Sequence, residues 1–227
     1  MAIQNTLPDP NNTITPSGES TGTGAIAGPG FSAVTVTSKQ PISINRSNSG
    51  LAFRNVSKYQ MFTVNISYNK LTKEEFNVVY SFLLEKQASL EAFFVELPQY
   101  GSTNAATKTI ANGTWSAGTN QLALANTDNI SPGDLFSVSV PTDDTHVKVY
   151  KVTKINSTTV ITITPQLQRS ITATSLTNDT VNFGASALST VVPPPKMRVT
   201  YTGSDIQYSV DASGLYSFSV KLEETLS

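Results

Sequence analysis

The chain has 227 residues, no cysteine and a formal net charge of −1 at pH 7. Disulfides, thiol catalysis and cysteine metal sites are therefore excluded, and a general affinity for nucleic acid, which needs a basic surface, is disfavoured. The length admits one large domain or two small ones, and no apolar run is long enough to cross a bilayer as a helix.

Residues 1–33 are rich in Pro, Gly, Asn, Ser and Thr and poor in large apolar side chains. Such a segment cannot bury enough surface to fold alone, so the expectation is an extended N-terminal arm that gains order against a neighbour. Its first twenty residues lack the basic and apolar regions of a signal peptide. Asn-x-Ser/Thr triplets, as at Asn65 and Asn112, are expected by chance in this composition and carry no glycosylation reading.

From Phe31 the pattern becomes strand-like, with Phe31, Val34 and Val36, then Ile42 and Ile44 alternating with polar residues. Met61 to Tyr68 alternates cleanly. Phe62, Val64, Ile66 and Tyr68 share one face and Thr63, Asn65 and Ser67 the other, as in a half-buried antiparallel strand. A helix is predicted over 72–87. Thr72 and Glu75 can form a capping box, and Leu71 and Phe76 a hydrophobic staple. Glu74 and Glu75 suit the first turn and Lys86 the last. Phe76, Val79, Tyr80, Leu83 and Leu84 supply one apolar stripe. Glu91 to Leu97 reads as another strand, ended by Pro98.

Composition shifts near Gly101. Residues 101–195 read as a small inserted β-barrel or sandwich domain. Thr114 to Leu124 looks like strand, turn and strand, and Ser131-Pro-Gly-Asp134 is a turn signal. Leu135 to Val140, Val147 to Ile155 and Val160 to Ile163 are strand candidates. Val191-Val-Pro-Pro-Pro195 reads as a stiff linker. Met197 to Tyr201 is a strand, and Ile206 to Val210 and Leu215 to Leu222 form a hairpin about the Asp211 to Gly214 turn. The first domain is thus discontinuous, 34–100 plus 196–227, with Phe62 to Tyr68 and Tyr216 to Leu222 as its core strands.

Catalytic residue types are scarce. The single histidine, His146, follows Asp143, Asp144 and Thr145, but a metal site needs three or four convergent ligands. No Gly-x-Ser-x-Gly elbow accompanies it. Glu74/Glu75 and Glu223/Glu224 read as helix-start charge and a solvated terminus rather than a glycosidase pair. The odd spacing of Glu91 and Glu96 sends them to opposite sides of a strand. Gly22, Gly24, Gly28 and Gly30 lie in the polar tail with no preceding strand, which leaves no phosphate loop. Arg46, Arg54 and Lys58 could line one face, or simply be solvated. The expectation is no catalytic residue, no cofactor and no metal.

The run Arg46-Ser-Asn-Ser-Gly50, the strand Met61 to Tyr68, Leu71-Thr-Lys-Glu-Glu-Phe76 with its helix, Phe93-Phe-Val-Glu-Leu-Pro98 and the closing run Gly214 to Glu224 together resemble a tailed-bacteriophage distal tail and minor tail protein family. Gly113 to Gly118, Pro132 to Phe136 and Lys148 to Val152 are similar to inserts in such proteins. The resemblance spans about 34–227 and does not include the arm. It implies a mainly β fold: a tail-tube-like β-sandwich or barrel with one flanking α-helix, here carrying the inserted small β-domain and the extended arm. It also implies a structural, non-enzymatic virion protein of the tail tip or baseplate, assembled in the host cytoplasm. Members form rings, commonly hexamers, that join the tail tube to the adsorption apparatus. Expected partners are further copies of the chain and the neighbouring tube and baseplate proteins, with no nucleic-acid sequence recognition and no membrane insertion. A second reading gives the insert a carbohydrate-binding role towards a host glycan, through Trp115 and Tyr150. An exposed Trp115 favours binding, a buried one assembly.

Overall fold

A computed structural model describes residues 6–8, 13–14, 20–21, 31–56, 60–86, 90–97, 107–109, 113–124, 126–128, 130–139, 148–173, 180–182, 196–203 and 205–225. In chain order the first elements are β1 (Thr13–Ile14), β2 (Ser20–Thr21), β3 (Phe31–Lys39), β4 (Ile42–Arg46), β5 (Ala52–Val56), β6 (Met61–Leu71), the helix α1 (Lys73–Glu85) and β7 (Phe93–Glu96). Between them and the C-terminal strands come β8 (Thr107–Thr109), β9 (Gly113–Trp115), β10 (Gln121–Ala123), β11 (Leu135–Ser139), β12 (Val149–Ile155), β13 (Val160–Thr164), β14 (Ile171–Ala173) and β15 (Thr180–Asn182). The last are β16 (Lys196–Tyr201), β17 (Tyr208–Val210) and β18 (Tyr216–Glu224). The fold is mainly β, and α1 is the one helix among the described residues.

Two six-stranded sheets dominate. The first runs β3-β6-β18-β16-β7, with β17 added alongside β18; the second runs β10-β13-β12-β11-β15-β8. All their strand pairs are antiparallel. Residues from both ends of the chain thus build the first sheet, while residues 107–182 build the second. Smaller pairs are β1–β2, β4–β5 and β9–β14.

The alternation read from the sequence sets the registers of the first sheet. Phe218 lies opposite Tyr68, Val220 opposite Ile66, and Leu222 opposite Val64. These residues are all buried on one face, while Asn65, Ser219 and Lys221 are exposed on the other. Period-two patterning in a half-buried strand fixes such a register, because a one-residue slip would turn every apolar side chain to water.

The helix α1 packs on the apolar face. Its N-terminus carries the full capping box: the Glu75 amide donates to the Thr72 hydroxyl at 3.4 Å, and the Thr72 amide donates to the Glu75 carboxylate at 2.8 Å. Phe76 and Tyr216 stack with ring centroids 4.4 Å apart, and Tyr68 stacks on Phe218 at 4.6 Å. Phe31 meets Tyr68 edge-on at 5.4 Å. This row of rings carries the helix onto three strands at once, and aromatic pairs add about 0.5–1.5 kcal/mol each beyond their buried area.

Several expectations shift. The helix is Lys73–Glu85, with Lys86 as its C-cap, rather than 72–87. Its buried residues are Phe76, Val79, Phe82 and Leu83, so Phe82 takes the place expected for Leu84, which is exposed. At 100° per residue Leu84 falls on the flank of the stripe, and Phe82 turns back to meet Phe93. β3 begins at Phe31, where the sequence pattern becomes strand-like. The strands expected within 114–124 exist, and they pair with β14 and β13. The Val191 to Pro195 linker lies outside the described residues.

The arm also holds a surprise. Thr6 bridges Phe94 in parallel, the Leu7 amide donates to the Phe94 carbonyl at 2.8 Å, and Leu7 joins the main apolar cluster. Thr6 and Leu7 are therefore part of the fold at the β7 end of the first sheet. Leu7→Ala is expected to lower unfolding free energy by about 2–3 kcal/mol, as for a buried leucine, read by denaturant melts. A loss within about 0.5 kcal/mol, the usual range for a surface change, would show that this segment does not support the core.

Candidate functional site

Among the described residues the most deeply buried ion pair lies where the two sheets meet. Glu224 closes β18 and Lys148 precedes β12; their side chains are 0 % and 1 % exposed and form an ion pair. The sequence reading placed Glu224 in a solvated terminus. The structure corrects this: Glu224 continues the inward face of Phe218, Val220 and Leu222, and the same period-two count, carried two residues further, marks it as buried.

Each oxygen of Glu224 is engaged. One accepts from the Phe62 amide at 3.2 Å as well as from the Lys148 ammonium, and the other accepts from the Val149 amide at 3.1 Å. The carboxylate thus ties β6 and β18 of the first sheet to β12 of the second. Lys148 also lies over the Phe62 ring, 5.6 Å from its centroid. Burial lowers the Lys148 pKa, and the facing Glu224 charge works against that fall.

A second polar link runs beside it. Thr164 donates to the Gln60 side-chain carbonyl at 2.8 Å, and Gln60 donates onward to Ser38. Leu135 and Val149 complete the contact by joining the apolar cluster of the first sheet. This junction can hold two sheets in one orientation. It opens no carboxylate to a substrate, so its chemistry is structural.

The other singled-out residues are dispersed. Glu75 is spent on the helix cap, and Glu74 is exposed. Glu91 pairs with Lys86 at 3.4 Å, and Glu223 with Lys39 at 3.2 Å. Glu96 sits opposite Lys196 in the register of β7 and β16. Asp143, Asp144, Thr145, His146, Lys58, Gly22, Gly24, Gly28 and Gly30 lie outside the described residues. Among the described residues no group of three or more His, Asp or Glu side chains could hold a metal, and no helix is long and apolar enough to cross a membrane.

The two aromatic candidates of the insert sit in its own core. Tyr150 is buried, stacks on Phe136 at 5.7 Å and accepts from the Gln168 amide at 3.2 Å. Trp115 is half-buried against the same apolar cluster. Arg46 and Arg54, by contrast, are brought together. Arg46 faces Ala52 and Arg54 faces Ile44 across the β4–β5 hairpin, which puts both arginines on one exposed face.

Two outcomes follow from the junction. Lys148→Met strands a buried carboxylate and should cost about 3–5 kcal/mol; adding Glu224→Gln removes that charge and should restore a large part of the loss in a double-mutant cycle of urea melts. Equal, additive losses would show that the two groups act independently. Burial raises the Tyr150 pKa from 10.0 to about 12, with the Glu224 charge adding to the rise. Between pH 10 and about 12 the folded chain keeps a proton that the unfolded chain has lost, so stability falls as pH rises through that window. In melts across this range Tyr150→Phe should abolish about 2–3 kcal/mol of alkaline loss by the top of the window.

Residues 20–100 match the family described as distal tail protein pb9, A domain, N-terminal. The match takes in β3, the β4–β5 hairpin, β6, α1 and β7, and leaves 101–227 outside it. No individual curated protein matches the chain. For those residues the match points to a structural component of a phage tail. Over β6, α1 and β7, where the sequence pattern pointed to it, the chain is similar to the tailed-phage distal tail family.

Proposed function

We propose that the chain is a ring-forming subunit at the distal end of a phage tail, joining the tail tube to the adsorption apparatus. The observation that carries this is the family match, set on a sheet that does not close on itself. β3 and β7 end the main path of the first sheet, β7 already carrying Thr6 and Leu7 on its outer edge at Phe94, and both lie within the matched residues. An open sheet is a template for strand addition, and head-to-tail joining of unlike ends gives a closed ring when the rotation between copies closes. A hexamer fits the family reading.

In this reading the first sheet and its helix form the ring domain, 34–100 with 196–227. The insert, 101–195, is carried on it by the Glu224 junction as a second contact surface for tube or baseplate proteins. Its rigid seating suits a part that must meet a neighbour at one angle.

Native mass measurement and negative-stain images of the purified full chain test the ring. A closed ring of fixed subunit number is expected. Monomer at every concentration, with no ring in the images, would overturn it. A truncation to probe the arm should stop before Phe31, since removal of residues 1–33 would also cut into β3.

A further inference from the structure

Among the described residues the β4–β5 hairpin carries the largest group of exposed large apolar side chains. Ile42, Ile44, Leu51 and Phe53 are each at least 54 % exposed. The register assigns Ile42, Ile44, Arg46, Ala52 and Arg54 to one face, because residues opposite each other, and residues two apart, share a side. That face is apolar and basic. A lone two-stranded hairpin is marginally stable in water, and single exposed apolar side chains need no explanation where a contiguous group does.

Charge is sharply segregated around it. Residues 20–73 contain Lys39, Arg46, Arg54, Lys58, Lys70 and Lys73 and no Asp or Glu. Residues 74–96 contain Glu74, Glu75, Glu85, Glu91 and Glu96 against the single cation Lys86, which is buried beside Glu91. On α1, Glu74 and Glu85 are three turns apart, so they share a stripe about 17 Å long. Glu74, Ser81, Leu84 and Glu85 are exposed on the outward side, away from Phe76, Val79 and Leu83. Leu90, just past the helix, is 73 % exposed. Apart from the exposed Lys73 at its first residue, the helix thus offers an acidic and apolar surface of the length of a short strand pair.

We infer that the Arg46/Arg54 face of the hairpin docks on the outward face of α1 of a second copy of this chain. The inference rests on the ring reading above and adds a second contact between copies to the one proposed at the sheet ends. The two surfaces are complementary in sign and both present apolar side chains, and each copy carries one of each, which is what a head-to-tail contact requires. Complementary charge fixes register and suppresses the like-with-like contact. Docking would also cover Ile42, Ile44 and Leu84.

Charge reversal provides the test, read by native mass and images of the full chain. Arg46→Glu with Arg54→Glu makes one variant, and Glu74→Lys with Glu85→Lys the other; Glu75 is left to cap the helix. All four positions are exposed, so each variant should keep the cooperative melt of the parent. Each alone is expected to lose the ring, at least tenfold in the concentration needed for assembly. Mixed in equal amounts the two should recover it in alternation, and a single chain carrying all four changes should recover it alone. If the parent forms rings and either variant does so equally well, or if neither the mixture nor the fourfold variant recovers, the pairing is overturned while the ring stands. If the parent itself stays monomeric, the ring reading fails and the pairing with it.

Discussion

The Glu224 carboxylate is the point on which the arrangement of the two sheets depends. It is fully buried, yet it stands at the end of the last strand, where solvation would be easy. A buried ion pair contributes little net stability, since desolvation of both charges offsets their attraction. Its effect here is on geometry. Two backbone amides, from Phe62 and Val149, need an acceptor away from water, and one carboxylate satisfies both. Any rotation of the second sheet would leave one amide and the Lys148 ammonium without a partner, at a cost of several kcal/mol. The junction therefore selects one orientation where apolar contact through Leu135 and Val149 alone would tolerate several.

That constraint also explains how a discontinuous first sheet stays whole. β18 lies between β6 and β16, so the C-terminal strand is the centre of the sheet begun by the N-terminal half. The insert is spliced between them in sequence, and its seating against Phe62 and Glu224 lies at one end of the β6–β18 pair. The aromatic row from Phe31 through Tyr68 and Phe218 to Phe76 and Tyr216 secures the other end. One end is held by charge and hydrogen bonds, the other by ring packing.

Much of this was legible wherever one physical signal acted alone. Capping residues placed the start of α1, because the box is satisfied by local contacts. Alternation placed β6 and β18, because each has one wet and one dry face. The sequence was opaque where position in the sheet decided the outcome. Ile42 and Ile44 alternate as a core strand would, yet they are exposed, since nothing in a period reveals whether a partner layer lies beyond. Glu224 was misread because a charged residue near a terminus is usually solvated; only its place on the inward face argued otherwise. The short strands β8, β14 and β15 were missed because three residues give no measurable period. Tyr150 looked available for binding because no local pattern separates a core tyrosine from a surface one.

The exposed hairpin and the open sheet make sense together. A chain that finished its fold alone would cover Ile42, Ile44, Leu51 and Phe53 or replace them, as exposed strand pairs invite aggregation. Here the apolar surface is kept, but it is marked with arginines and separated in sequence from every acid that could answer them locally. The interior is specified to the level of single carboxylate oxygens, while the hairpin is left without a covering layer. Such a division fits the proposed assembly, in which Ile42 and Ile44 are covered between copies only after each fold is complete.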